Sequence, residues 1–218
     1  MSVSKDRILY QDDHLLAVNK LSGELVVKGS GKVQKLPLFD FLKKENHGLR
    51  VLHRLDFETS GVVVFAKTQE AYDAVRASNF AGWKKVYRTI VISGRGAGIK
   101  REGEIRMPLP ARGQGKVESV TRYRILKNLG SVAYIEAEIE TGRHHQIRRH
   151  FEGIGCPLVL DTVYGNEKFN RSFAREFRYR KFFLHAFCVE LPHPVAGEKL
   201  HIQASLPKTF EEVLKKLS

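Results

Sequence analysis

The chain has 218 residues, with 37 Lys and Arg against 24 Asp and Glu for a formal net charge of +13, and a pI near 9.8. So lopsided a balance argues against an enzyme of small neutral metabolites and points to a polyanionic partner, most often nucleic acid. A mean hydropathy of −0.30 with 42% hydrophobic residues fits a globular domain, and no apolar run approaches the roughly 18 residues of a membrane span.

The N-terminus, Met1 to Arg7, lacks the apolar stretch of a signal peptide. Cys156 and Cys188 read as buried thiols of a reducing compartment, not as a disulfide framework. A cytoplasmic protein without a membrane segment is expected.

Along the chain, Leu15–Val18 and Leu25–Val27 read as short strands, with a turn at Gly29–Gly31. Leu36–Asn46 predicts a short helix with Leu38, Phe39 and Leu42 on one face. A polar stretch, His53 to Gly61, runs straight into the apolar strand Val62–Lys67. That places Asp56 on a loop whose far end is anchored in a sheet, where chemistry often sits. Thr68 caps a helix from Gln69 towards Phe80, with Glu70 in its first turn.

Lys84–Ser93 is a strand with Tyr87, Thr89 and Val91 on one face. Gly94–Gly103 is glycine-rich and charged, as in a flexible insertion; it lacks the Gly-Lys-Ser/Thr ending of a phosphate loop. Two long strands flank Asn128–Gly130, and in the second Ile135, Ala137 and Ile139 oppose Glu136, Glu138 and Glu140. A helix starts at Thr141 or Gly142 and is stopped by Gly153 and Gly155. In Lys168–Lys181, Phe169, Phe173 and Phe177 form a core-facing stripe, while Arg171, Arg175 and Arg178 fall mainly off it, where they could line a path for a polyanion. Strands at Lys181–Leu191 and Lys199–Leu206 precede a helix with Pro207 in its first turn. No linker or repeat divides the chain, so residues 1–218 read as one strand-rich α+β domain with flanking helices.

Residues 53–61, His-Arg-Leu-Asp-Phe-Glu-Thr-Ser-Gly, resemble the active-site signature of the RluA-type pseudouridine synthases, which isomerise uridine within RNA. Other segments follow the pattern of that family in order: Asn19-Lys20 with Gly23, Lys85-Val86-Tyr87, Thr141 to Arg148, Asp161 with Tyr164-Gly165, Leu184-His185-Ala186, and His193-Pro194. Two positions depart from it, Leu21 in place of Pro and Leu160 in place of Gly. The resemblance leads us to expect a chain that starts directly at the catalytic domain, without the small N-terminal RNA-binding domain of many relatives.

The resemblance implies the pseudouridine synthase fold, a bent, mixed but mostly antiparallel sheet with a central cleft. It implies Asp56 as covalent nucleophile, Tyr87 as a stacking group and proton relay, and Arg148 as the cation that keeps the acid ionised. Arg54 would fill the space left by an extruded base. Lys20, Lys85, Arg143 and His145 complete the expected RNA contacts, with Arg149 beside them. The reaction imports no group and oxidises nothing, so no cofactor or metal is expected. His144, His145 and His150 lack a zinc-binding spacing. The expected partner is a structured stem-loop of tRNA or rRNA and the expected state a monomer. The alternative is an RNA-binding or RNA-folding protein with little catalysis, and an intact Asp56, Tyr87 and Arg148 argue against it.

Overall fold

The computed structural model describes residues 3–29, 36–94, 99–111 and 113–218. They form two compact units, one of Met1–Lys85 with Ala186–Ser205 and one of Val86–His185 with Leu206–Ser218. In chain order the elements are β1 (Ile8–Gln11), β2 (Leu15–Lys20), α1 (Leu38–Glu45), β3 (Arg50–Val51), β4 (Ser60–Ala66), α2 (Gln69–Ala77), β5 (Lys84–Ile92), β6 (Glu102–Arg106), β7 (Leu109–Pro110), β8 (Lys116–Val117), β9 (Val120–Leu129), β10 (Val132–Ile139), α3 (Gln146–Gly153), α4 (Glu167–Phe177), β11 (Leu184–Pro192), β12 (Lys199–Gln203) and α5 (Lys208–Leu217).

In the first unit the strands run in the order β1-β2-β4-β11, with β3 on β4 and β12 on β11. β1 with β2, β2 with β4, β3 with β4 and β11 with β12 pair antiparallel. β4 is buried on both faces, which is why its sequence is an unbroken apolar run. Val62, Val64 and Ala66 pack with Leu15, Ala17, Trp83 and Leu191. Val63 and Phe65 pack on the other face with Leu16, Val18, Leu38 and Leu42. Gly61 has φ +110°, and a Cβ there would lie 2.1 Å from the Ala186 carbonyl oxygen. Only glycine fits where these two backbones approach so closely.

In the second unit the order is β5-β10-β9-β6, and β7 pairs with β8 as a separate ribbon. Ile135, Ala137 and Ile139 point to the buried face of β10 as their alternation predicts. On the other face Glu136 bonds Arg88 at 3.1 Å and Arg124 at 2.7 Å. α5 is anchored by Phe210, whose ring lies 6.0 Å from Tyr134 and 4.9 Å from Phe183. Pro207 stands at its N-cap, one place ahead of its expected position in the first turn. Phe173 is buried and stacks on Phe177 at 4.4 Å, so the phenylalanine stripe of α4 faces inward as its spacing predicts.

Several local expectations change. Leu25–Val27 is not a strand. The carbonyls of Leu25 and Val26 instead accept the amides of Leu38 and Phe39, opening donors of α1 that need a partner. α3 starts at Gln146, later than expected, because the Gln146 Oε1 accepts from the Thr141 hydroxyl and the Arg143 amide and folds that stretch into a turn. α2 ends at Ala77, with Thr68 capping the Ala71 amide as expected. Most of the Gly29–Gly31 turn, and positions 95–98 of the glycine-rich insertion, lie outside the described residues.

Candidate active site

Asp56 sits on the loop between Val51 and Ser60, which is tied down at four points within the first unit. The Asp56 carbonyl accepts the Thr59 amide at 3.2 Å, and the Phe57 carbonyl accepts the Gly23 amide at 2.8 Å. The other two ties come from side chains. The ammonium of Lys20 donates to the carbonyls of Leu21 at 3.1 Å, Phe57 at 3.0 Å and Thr59 at 2.5 Å. The Nε2 atom of His53 accepts the Val64 amide at 3.0 Å. The backbone around Asp56 is thus fixed by packed neighbours.

Lys20 is 0% exposed and lies under the loop. β2 pairs Lys20 with Gly61, and this register brings the ammonium beneath the Asp56 turn. Burial pulls the Lys20 pKa down to about 7; the negative charges of Glu24 and Asp56 oppose the fall, and Arg7 adds to it. Three carbonyl acceptors match the three donors of the charged form. Lys20 is therefore a cation acting on Asp56 from within the same unit.

His53 must be neutral at the nitrogen that accepts the Val64 amide. Burial, and then the charge of Lys85, push its pKa down to about 3, so its proton lies on Nδ1 near neutral pH. Its ring meets Trp83 edge-on at 5.7 Å. Lys85 is also buried, with its Nζ 5.5 Å from the Phe80 ring and 5.7 Å from Trp83. Burial lowers its pKa to about 8. Lys85 is only 7% exposed. Arg54 is exposed.

The second unit holds Tyr87, Arg148, Arg143 and His145. Tyr87 is buried on β5, on the same face as Thr89. Arg148, on α3, forms a buried two-pronged pair with Asp161, Nε to Oδ2 at 2.6 Å and Nη2 to Oδ1 at 2.7 Å. Its guanidinium also lies 4.8 Å from the Phe182 ring and 5.1 Å from Tyr164. Burial alone would raise the Asp161 pKa; the Arg148 bonds and the amides of Tyr164 and Val163 overturn that, and it lies below the usual carboxylate range.

His145 has φ 56° and caps α3 without a side-chain bond to it. Its Nδ1 lies 3.1 Å from the Tyr164 hydroxyl, which also accepts from Arg149 Nε at 3.0 Å. Arg143 is half-buried, and its amide donates to Gln146. Among the described residues no three His, Cys, Asp or Glu side chains group as a metal site.

Sequence reading did not foresee the anchoring roles of Lys20, His53 and Asp161. Asp161 carried a usable signal, an acid directly after the apolar run Leu158–Leu160, since a buried carboxylate requires a paired cation.

A model of the RNA pseudouridylate synthase family matches residues 14–153. Ribosomal large subunit pseudouridine synthase C of Vibrio cholerae is 33% identical, the match covering 96% of this chain and 69% of that protein. The same enzyme of Escherichia coli is 31% identical over 97% of this chain and 70% of its own length. Ribosomal large subunit pseudouridine synthase D of Xanthomonas campestris is 30% identical over 96% and 69%. Among solved structures, human RNA pseudouridylate synthase domain containing 4 superposes with a TM-score of 0.79 at 26% identity, covering 97% of this chain and 93% of that one.

Proposed function

The chain belongs to the RNA pseudouridylate synthase family, and from that premise we propose that it isomerises uridine in large-subunit ribosomal RNA with Asp56 as nucleophile. The ribosomal substrate is favoured over tRNA because the relatives matched along most of this chain carry that substrate in their names. The observation that supports Asp56 most directly is its loop, clamped by the buried ammonium of Lys20.

The reaction breaks the N1–C1′ bond, turns the uracil, forms C5–C1′ and releases the C5 proton; N1 gains a proton, so atoms balance without a co-reactant. Asp56 forms the covalent bond to the nucleoside, at C1′ or on the uracil ring. Tyr87 stacks on the uracil and accepts or relays the C5 proton. Its phenol is a weak base at an ordinary pKa, so stacking is the stronger half of that assignment. Arg148 is assigned the cation role that the family pattern gives it, and Asp161 holds its planar head in one orientation. Arg54 enters the stack as the uridine leaves, which costs a few kcal/mol and least in loops. Arg143, His145 and Arg149 meet phosphates. We place the protein with its RNA in the cytoplasm, acting as a monomer.

The test compares wild type with Asp56→Asn on unmodified ribosomal RNA and bulk tRNA, mapping pseudouridine by chemical labelling. The expected result is product at ribosomal sites from wild type, none from the variant, and RNA binding by both. Equal product from both proteins would remove Asp56 from the mechanism. Product confined to tRNA would move the substrate.

A further inference from the structure

α4 carries its charges in a pattern that the chemistry of the site does not use. Phe169, Phe173 and Phe177 form its inner stripe; Phe173 stacks on its two neighbours at 6.0 and 4.4 Å and meets Phe183 at 6.1 Å. At about 100° per residue, Lys168, Arg171 and Arg175 fall within roughly 40° of the line directly opposite Phe173, and Arg178 follows as the left-handed C-cap residue at φ 51°. All four are exposed. Lys168, Arg171 and Arg175 make one ridge of cations on the helix, spaced three and four residues apart and about 10 Å long by helical rise, with Arg178 at its C-cap. Arg180 and Lys181 extend the exposed positive charge past the end of the helix. The acids of α4 do not neutralise the ridge. Glu167 pairs with Arg171 at 3.6 Å with both ends exposed, an arrangement worth little. Glu176 lies nearer the inner side by the same spacing.

The helix is also held rigidly. Its N-cap Asn166 accepts the Phe169 amide at 2.9 Å. Asn170 accepts the Leu160 amide at 2.8 Å and donates to the Asp161 carbonyl at 2.9 Å. The backbone of the residue that orients Arg148 is thereby bolted to the helix that carries the ridge.

We propose that the Lys168–Arg171–Arg175 ridge of α4, with Arg178 at its C-cap, docks the phosphate backbone of the RNA substrate. The inference rests on the proposed RNA reading and adds a surface to it. A row of side-chain cations on a fixed helix, opposite a buried aromatic stripe and in a chain of net charge +13, is complementary to successive phosphates of one strand. It offers no base-reading group, so it sets position and affinity, not sequence preference.

The experiment measures binding of an in vitro transcript of bacterial large-subunit ribosomal RNA across a salt series. It compares wild type, the triple variant Arg171→Gln/Arg175→Gln/Arg178→Gln, and a control, Lys208→Gln/Lys215→Gln/Lys216→Gln, which removes equal charge from exposed positions of α5. Each phosphate contact contributes about 0.7 to 0.9 to the slope of log affinity against log salt. The α4 variant is expected to lose roughly two to three units of slope and more than tenfold in affinity near 0.1 M salt, while the control loses less than one. With saturating RNA its kcat should stay near wild type while KM rises. An equal loss in both variants, or no loss in the α4 variant with its thermal melt intact, would overturn the ridge. An unchanged RNA slope together with lost binding to poly-glutamate would assign the ridge to an acidic protein instead, which also overturns it. If wild type binds RNA with the expected slope but forms no pseudouridine, the enzymatic reading fails and the ridge stands.

Discussion

Asp161 grips Arg148 with both carboxylate oxygens, at 2.6 and 2.7 Å, and the two side chains are 0% and 5% exposed. The same acid accepts the amides of Val163 at 2.9 Å and Tyr164 at 3.0 Å. One carboxylate therefore fixes both a guanidinium and the turn that carries Tyr164.

Removing one partner leaves the other charged and buried. Asp161→Asn is expected to cost about 3 to 5 kcal/mol, read as a shift in the denaturant midpoint. Arg148→Met with Asp161→Leu should cost clearly less than the summed single changes. Because the folded pKa of Asp161 lies below its unfolded value, its contribution is present above the ordinary carboxylate pKa near 4 and fades as pH falls below it. Loss of this acid-range dependence in Asp161→Asn is the accompanying check.

Lys20 should leave two opposite marks on pH dependence. Its folded pKa of about 7 lies below the free value of 10.5. Below about pH 7 both folded and unfolded chains hold the proton, and the full cost of burying the cation is felt. Between about 7 and 10.5 the unfolded chain binds more protons, so this residue makes stability rise with pH. Activity should move the other way, falling as the ammonium that clamps the Asp56 loop loses its proton. Lys20→Met strands the Leu21, Phe57 and Thr59 carbonyls and is expected to lower kcat at least tenfold. It should also remove the part of the alkaline rise in stability that begins near pH 7, leaving the rise that Lys85 contributes above about pH 8. A rate that climbs with pH in wild type from 6.5 to 9 would refute the clamp.

Leu160 stands in the left-handed region at φ 64° while its side chain is 4% exposed. The backbone strain costs about 1 to 2 kcal/mol, which glycine would relieve. Losing a buried leucine side chain costs more, about 2 to 5 kcal/mol. Leu160→Gly is therefore expected to destabilise by about 1 to 3 kcal/mol, measured by thermal melting. A stabilised variant would mean that the strain outweighs the packing.

Gly61→Ala forces a methyl carbon to within 2.1 Å of the Ala186 carbonyl oxygen, with backbone on both sides. Neither can yield without parting β4 from β11. A loss of more than about 3 kcal/mol is expected, beyond ordinary overpacking, and the soluble yield of the variant should collapse. An alanine variant with a melting temperature within a few degrees of wild type would contradict this close approach.

Much of this fold was legible because its signals are local. The run Val62–Phe65 has to be a strand with two buried faces, and the alternation in β10 leaves one orientation for its glutamates. Thr68 and the phenylalanine stripe of α4 behave as their spacing requires. Expectations failed where a distant partner decided the outcome. Leu25–Val27 has strand-forming residues, yet its carbonyls close the first turn of α1. Gln146 delays the start of α3 by reaching back to Thr141 and Arg143.

The order of residues along the chain determined the family, the acid at position 56 and the basic character that suits RNA, because motif, periodicity and net charge are properties of neighbours in sequence. Which charges lie underneath and which face outward was decided only in three dimensions. Lys20, Lys85 and Arg148 look alike on paper to the exposed Arg54 and Arg171. Burial turned the first three inward, because an ion inside the protein is tolerated only where carbonyls, aromatic rings or a carboxylate replace its lost water.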